Sequence, residues 1–162
     1  TEVCRMYWGD GGTWQPKYKR LLSRIDDLAA DGKAVGLVGV SAGASVAVNA
    51  FADRKDCVVG VVLIAGKVNR PESIQASDYR KNRALPASVR QAVDSLARLT
   101  PDDRGRILSR YAWFDERVSR ADSCVPGVHN QAWPTVGHFV TIASQLIFGA
   151  PSFLRFLKQQ VV

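Results

Sequence analysis

Cysteine, histidine and methionine are scarce in this 162-residue chain, which has three, two and one of them. Cys4, Cys57 and Cys124 are odd in number and widely spread, with no CxxC pair and no histidine at metal-ligand spacing. That pattern excludes a disulfide framework and points to reduced thiols in a cytoplasmic setting. It also speaks against a structural zinc site, whose ligands come in closely spaced pairs. Long apolar runs are missing too. The longest, Cys57 to Ala65, falls well short of the roughly 20 residues that span a bilayer, and reads as a buried strand. The N-terminus carries no basic-then-apolar secretion signal. The chain opens on Thr1 rather than Met, which leaves room for a segment upstream. With 46% hydrophobic and 23% charged residues, disorder is excluded and a single core-bearing domain over residues 1–162 is expected.

The formal net charge is +7, and its distribution is uneven. Residues 1–65 carry eight Lys/Arg against seven Asp/Glu, residues 66–120 twelve against seven, and residues 121–162 two against one. A basic middle third could attract an acidic ligand. No aromatic-basic motif accompanies it, so a solvated arginine-rich surface is the reading and nucleic acid is not an expected partner.

Apolar patterning alternates between strands and helices. Val3 to Trp8 reads as a short strand stopped by Gly9-Asp10-Gly11-Gly12. A helix follows from near Pro16, with Tyr18, Leu21, Leu22, Ile25 and Leu28 on one face and Gly32 as its stop. Ala34 to Val40 reads as a strand covered on both faces, leading into a small-residue helix at Ala44 to Ala52. Cys57 to Ala65 and Ile107 to Phe114 are further core strands, and Val89 to Leu99 marks an amphipathic helix. The stretch around Pro126, Gly127 and Pro134 reads as loop, Phe139 to Phe148 as helix, and Pro151 as the start of a last helix. The expected fold is α/β: a mostly parallel sheet of about four to five strands with helices on both faces. Residues 67–100 form an excursion suited to a wall or lid. In such sheets ligands bind at the carboxyl ends of the strands, where the Gly9–Gly12 loop, the Ser41 turn and the Asp115 turn converge.

Gly39-Val40-Ser41-Ala42-Gly43 matches G-x-S-x-G between a buried strand and a helix. Small flanking residues permit a sharp turn that lifts the Ser41 hydroxyl out of the sheet. The Ala42 N–H and the helix N-terminus would face a tetrahedral oxyanion there. The same glycines also suit any tight strand-to-helix crossover. A serine nucleophile needs a base, and the base an orienting carboxylate. His138 opens an apolar helix, whereas His129 lies in the polar stretch before it. Asp115 directly follows a core strand; Glu116 and Asp122 compete with it for the acid's role.

In the order Ser41, Asp115, His138, the chain resembles the α/β-hydrolases over roughly residues 3–160. The resemblance rests on Val38-Gly39-Val40-Ser41-Ala42-Gly43-Ala44-Ser45, Trp113-Phe114-Asp115-Glu116-Arg117-Val118 and Thr135-Val136-Gly137-His138-Phe139. It implies Ser41 as nucleophile, His138 as general base then acid, Asp115 as orienting acid, and no metal or organic cofactor. Ala44 departs from the family, in which many members have another glycine at that position. A second departure is the room for only one strand before the nucleophile strand. If Val3 to Trp8 lies beside it, Gly9, Asp10 and Gly11 supply the second oxyanion donor. If that segment is instead the next strand outward, the donor strand is missing from this chain, and the gap is filled by an N-terminal segment or a neighbouring subunit of a homo-oligomer, or leaves a weakened enzyme. The resulting expectation is a serine hydrolase acting on a small carboxylic ester or thioester. A degenerate hydrolase acting as a binding module is the alternative. The basic excursion, with Arg80 and Arg83, extends the expectation to an anionic substrate.

Overall fold

A computed structural model describes residues 1–74 and 82–161. Helix α1 (Trp14–Ala30) precedes strand β1 (Val35–Val40), helix α2 (Gly43–Asp53) and strand β2 (Val58–Ile64). After a 3-10 turn at Pro71–Ser73 come α3 (Ala84–Arg98), α4 (Pro101–Gly105) and β3 (Ile107–Phe114). The short helix α5 (Arg120–Ser123) leads to β4 (His129–Val136), then α6 (His138–Ser144), a π-helical turn (Gln145–Gly149) and α7 (Ala150–Gln159). The four strands pair in parallel in the order β1-β2-β3-β4.

A sheet whose strands follow sequence order, joined by right-handed crossovers, keeps its connecting helices on one face. The larger core lies there. Tyr18 and Ile25 of α1, Val48 and Phe51 of α2, and Ala92 and Leu96 of α3 pack with Val61 and Leu63 of β2. The other face is covered by α7, whose Phe153 and Leu157 meet Val62, Ile64 and Leu108. Of the 67–100 excursion, α3 is thus part of the core packing, with Val89 and Ala92 fully buried. Residues 75–81, which include Arg80, lie outside the described residues.

Three expectations are corrected. Val3–Trp8 forms no strand: it runs back along α1, with Met6 buried, Glu2 paired to Arg24 at 2.8 Å and Arg20 bonded to the Arg5 carbonyl. The free edge of β1 is consequently uncovered among the described residues. β1 is also not sheltered on both faces: although Leu157 of α7 lies against Gly36, Gly36 is exposed and Val38 is 40% exposed. Conversely, the stretch read as loop after Pro126 contains β4. Pro134 is tolerated because β4 is an edge strand and the register with β3 breaks between Ala112 and Phe114, where a bulge dispenses with a ladder donor.

From His138 to Gln159 the chain is one continuous helical run of 22 residues. By length and composition alone it could cross a bilayer, a property that the short apolar runs of the sequence do not suggest. Here it turns Phe153 and Leu157 toward the sheet and leaves Phe139, Ile147 and Phe148 exposed.

Candidate active site

Ser41 ends β1 with φ of 51°, a left-handed conformation uncommon outside glycine. The turn is fixed on both sides: the Ser41 N–H donates to the Ile64 carbonyl at 2.9 Å, and its carbonyl accepts from the Ala44 and Lys67 N–H groups at 3.1 Å. Gly39 is required for contact reasons. A Cβ there would lie 2.7 Å from the Ala44 Cα and the Gly43 carbonyl oxygen. Gly43 differs, because a Cβ there would meet nothing within 4 Å. The family departure at Ala44 is absorbed by Gly66, where a Cβ would come within 2.5 Å of the Ala44 methyl. No sequence pattern pairs positions 44 and 66; only the close approach of the β2 exit to α2 does.

The residues expected to form the site from three distant segments are brought together. The Ser41 Oγ lies 2.9 Å from His138 Nε2, and His138 Nδ1 lies 2.7 Å from Asp115 Oδ2. Both the His138 and Asp115 side chains are only 4% exposed. Asp115 Oδ1 accepts from the Arg117 and Val118 N–H groups at 2.8 Å each. One carboxylate oxygen is thereby anchored to backbone while the other faces the imidazole. A buried carboxylate is costly unless it is held by such donors.

The competing acids have other partners. Glu116 Oε2 accepts from the His138 backbone N–H at 2.9 Å, a negative group at the start of α6. Gly137, with φ of 98°, turns the chain there, and its N–H donates to the Phe114 carbonyl at 2.9 Å. Thus adjacent acidic residues hold the two ends of one histidine: Asp115 its ring, Glu116 its backbone. Sequence reasoning ranked Glu116 only as a rival and missed this tether. Asp122 is buried on the Lys67 ammonium at 2.6 Å, at the exit of β2. Burial alone would raise its carboxyl, but the hydrogen bonds from Lys67 and Ser119 outweigh that and hold it below its usual range. His129 is exposed on β4 against the Phe156 ring.

Ala42 occupies the N-cap of α2, and among the described residues its N–H meets no acceptor. The Gly9–Gly12 loop is tied elsewhere. Lys17 of α1 donates to both Asp10 carboxylate oxygens at 2.6 Å and to the Tyr7 carbonyl at 2.8 Å, and Gly12 N–H donates to Asp10 Oδ1 at 2.8 Å. Gly9, Asp10 and Gly11 make no hydrogen bond to Ser41 or Ala42. Among the described residues no cluster of His, Cys, Asp and Glu is arranged to hold a metal ion.

A family model for the alpha/beta hydrolase family matches residues 7–155, and the chain belongs to that family. Its fold is similar to the structure reported for LipS and LipT, two metagenome-derived lipolytic enzymes, with TM-score 0.64 and 13% identity over 91% of this chain and 74% of that one. It is similar to a monoacylglycerol lipase of Paleococcus ferrophilus, with TM-score 0.60 and 11% identity over 91% and 76% of the two chains. A carboxylesterase structure from Nitrososphaera gargenis gives TM-score 0.57 and 12% identity, with 99% and 80% covered. At these identities the likeness concerns the fold. Comparison of the sequence with curated proteins finds no match.

Proposed function

We propose that the protein is a serine hydrolase that cleaves a carboxylic ester or thioester through an acyl-enzyme on Ser41. The observation that carries this reading is the unbroken chain Ser41 Oγ, His138 Nε2, His138 Nδ1, Asp115 Oδ2. With the Nδ1 proton directed at Asp115, Nε2 is left as acceptor for the Ser41 hydroxyl. Ser41 Oγ attacks the carbonyl carbon as its proton passes to His138. The imidazolium is stabilised by Asp115, and the oxyanion is met by the Ala42 N–H at the α2 N-terminus. Collapse of the intermediate breaks the bond to the leaving group, which takes the proton from His138. Water, deprotonated by His138, then releases the acid and restores Ser41. The buried Asp115 is the orienting acid; Glu116 positions His138 through its backbone.

A second reading, an interaction module on a hydrolase scaffold, draws support from one feature: among the described residues β1 has an open edge, with no strand paired outside it. Intact-mass analysis after treatment with a fluorophosphonate separates the two. The hydrolase reading expects one adduct on wild type, located at Ser41, absent in Ser41→Ala and slowed at least a hundredfold in His138→Ala. A folded wild-type protein that takes up no adduct supports the interaction module instead.

A further inference from the structure

Arg110 is a buried cation that the proposed chemistry does not use. It lies mid-way along β3 on the face shared with Leu108 and Ala112, toward α7, and is only 4% exposed. Its guanidinium donates to Gln131 Oε1 at 2.9 Å, Gln145 Oε1 at 3.1 Å, the Gly149 carbonyl at 3.4 Å and Ser152 Oγ at 2.7 Å. Its Cζ lies 5.3 Å from the centre of the Trp133 ring. Every one of these partners is neutral. No acidic residue follows Asp122 in the sequence, so β4 and α7, the elements around it, cannot supply a carboxylate. Burial pushes the guanidinium below its ordinary value with nothing negative to oppose it. Taking a charge out of water without a counter-charge is costly, and folds seldom retain such a group without a partner.

Beside Arg110 a groove of about 480 Å3 opens between β4 and α7. Its walls offer the polar groups of His129, Asn130, Gln131 and Ser152 and the apolar surfaces of Leu108 and Phe156. Its lining is more polar than apolar, as suits the charged end of a ligand. A guanidinium fork is the usual recognition element for a carboxylate or phosphate group. Among the described residues, the four acceptors leave one of its five N–H groups without a partner.

We propose that this groove binds a small ligand through a terminal oxyanion, a phosphate or a carboxylate, paired with Arg110. The site is separate from Ser41 and does not depend on the hydrolase assignment. Asp115 lies five residues further along the chain, roughly 15 Å away at the usual strand rise.

The test is titration of the wild-type chain with inorganic phosphate and, separately, butyrate, each against sodium chloride at matched ionic strength. Heat of binding and Tm are the readouts. A saturable single-site isotherm is expected for at least one of the two. Tm should rise by roughly 5–10 °C at a hundredfold excess over Kd. Tighter phosphate binding would assign the group as a phosphate, and tighter butyrate binding as a carboxylate. Because Arg110→Gln removes bonds that tie β3 to α7 and could unfold the chain, the decisive variant is Gln159→Glu. Gln159 is exposed at the groove and makes none of the Arg110 contacts. A negative charge there should weaken oxyanion binding at least tenfold. The proposal is overturned if neither anion does more than chloride, or if Gln159→Glu binds as tightly as wild type.

Discussion

The two faces of the sheet are built to different standards. On the crossover face, three helices bury a continuous core in which Val48, Phe51, Val61 and Leu63 have no exposed surface. On the other, a cluster of only five buried residues is closed by Phe153 and Leu157 of α7 with Ile142 of α6 at its margin, and Val38, Phe148 and Leu154 stay exposed. Ser41 springs from the junction of β1 and α2, within the thick side. Asp115 follows β3, and His138 opens α6, the helix that leads into α7 on the thin side. The site therefore joins a serine fixed by backbone bonds to an aspartate and a histidine whose placement depends on local tethers: the Arg117 and Val118 N–H groups, and Glu116.

The sharpest test of that contrast is chemical. Asp115→Asn removes the charge facing the imidazole and favours the wrong tautomer, so kcat against an ester is expected to fall by about 10⁴-fold. Glu116→Gln, which weakens only the backbone tether of His138, should cost about tenfold, roughly the loss of one charge-assisted hydrogen bond. Equal losses in the two variants would mean that the roles of the neighbouring acids are not distinct. Ester kinetics on both variants, with circular dichroism to confirm folding, decide it.

Next in size is packing. Phe51→Ala on the thick side is expected to cost about 5 kcal/mol and Phe153→Ala on the thin side about 3 kcal/mol, the two ends of the usual range, because the smaller cluster around Phe153 collapses more readily. Urea denaturation of both measures the gap; an equal cost would show that α7 seals its face as well as α1, α2 and α3 seal theirs.

The smallest effect is electrostatic. Asp122 is held below its ordinary carboxylate range, so its contribution to stability is in place above about pH 4. It is lost as pH falls below that toward the lower folded value. Asp122→Ala should be less stable than wild type at pH 7, and the difference should shrink as the pH is lowered through this window. Unfolding midpoints between pH 2 and 7 report it, and a pH-independent difference would contradict the ion pair with Lys67.

Much of this was legible in the residues. The apolar runs placed β1, β2 and β3 to within a residue or so, because buried parallel strands carry little else. Ser41 and Asp115 could be picked out by their positions at strand ends, and His138 by its place after them in chain order, at the start of an apolar helix. β4 escaped for the opposite reason: His129–Val136 is an edge strand with mostly polar or exposed residues and an internal proline, so its pattern resembles a loop. Val3–Trp8 has strand-like composition and no strand to pair with, since neighbours in space decide strand formation. Glu116 as a tether and Arg110 without a counter-charge are invisible to periodicity, because each depends on elements far apart in the chain meeting at short range.

Ala44 and Gly66 have a consequence for how this chain can change over time. The two positions share space for a single methyl group, and α2 has claimed it. A side chain can enter at 66 only after 44 has become glycine, so the substitutions are viable in one order and harmful in the other. In the crossing of β2 and α2, the history of one residue constrains the future of another twenty-two positions away.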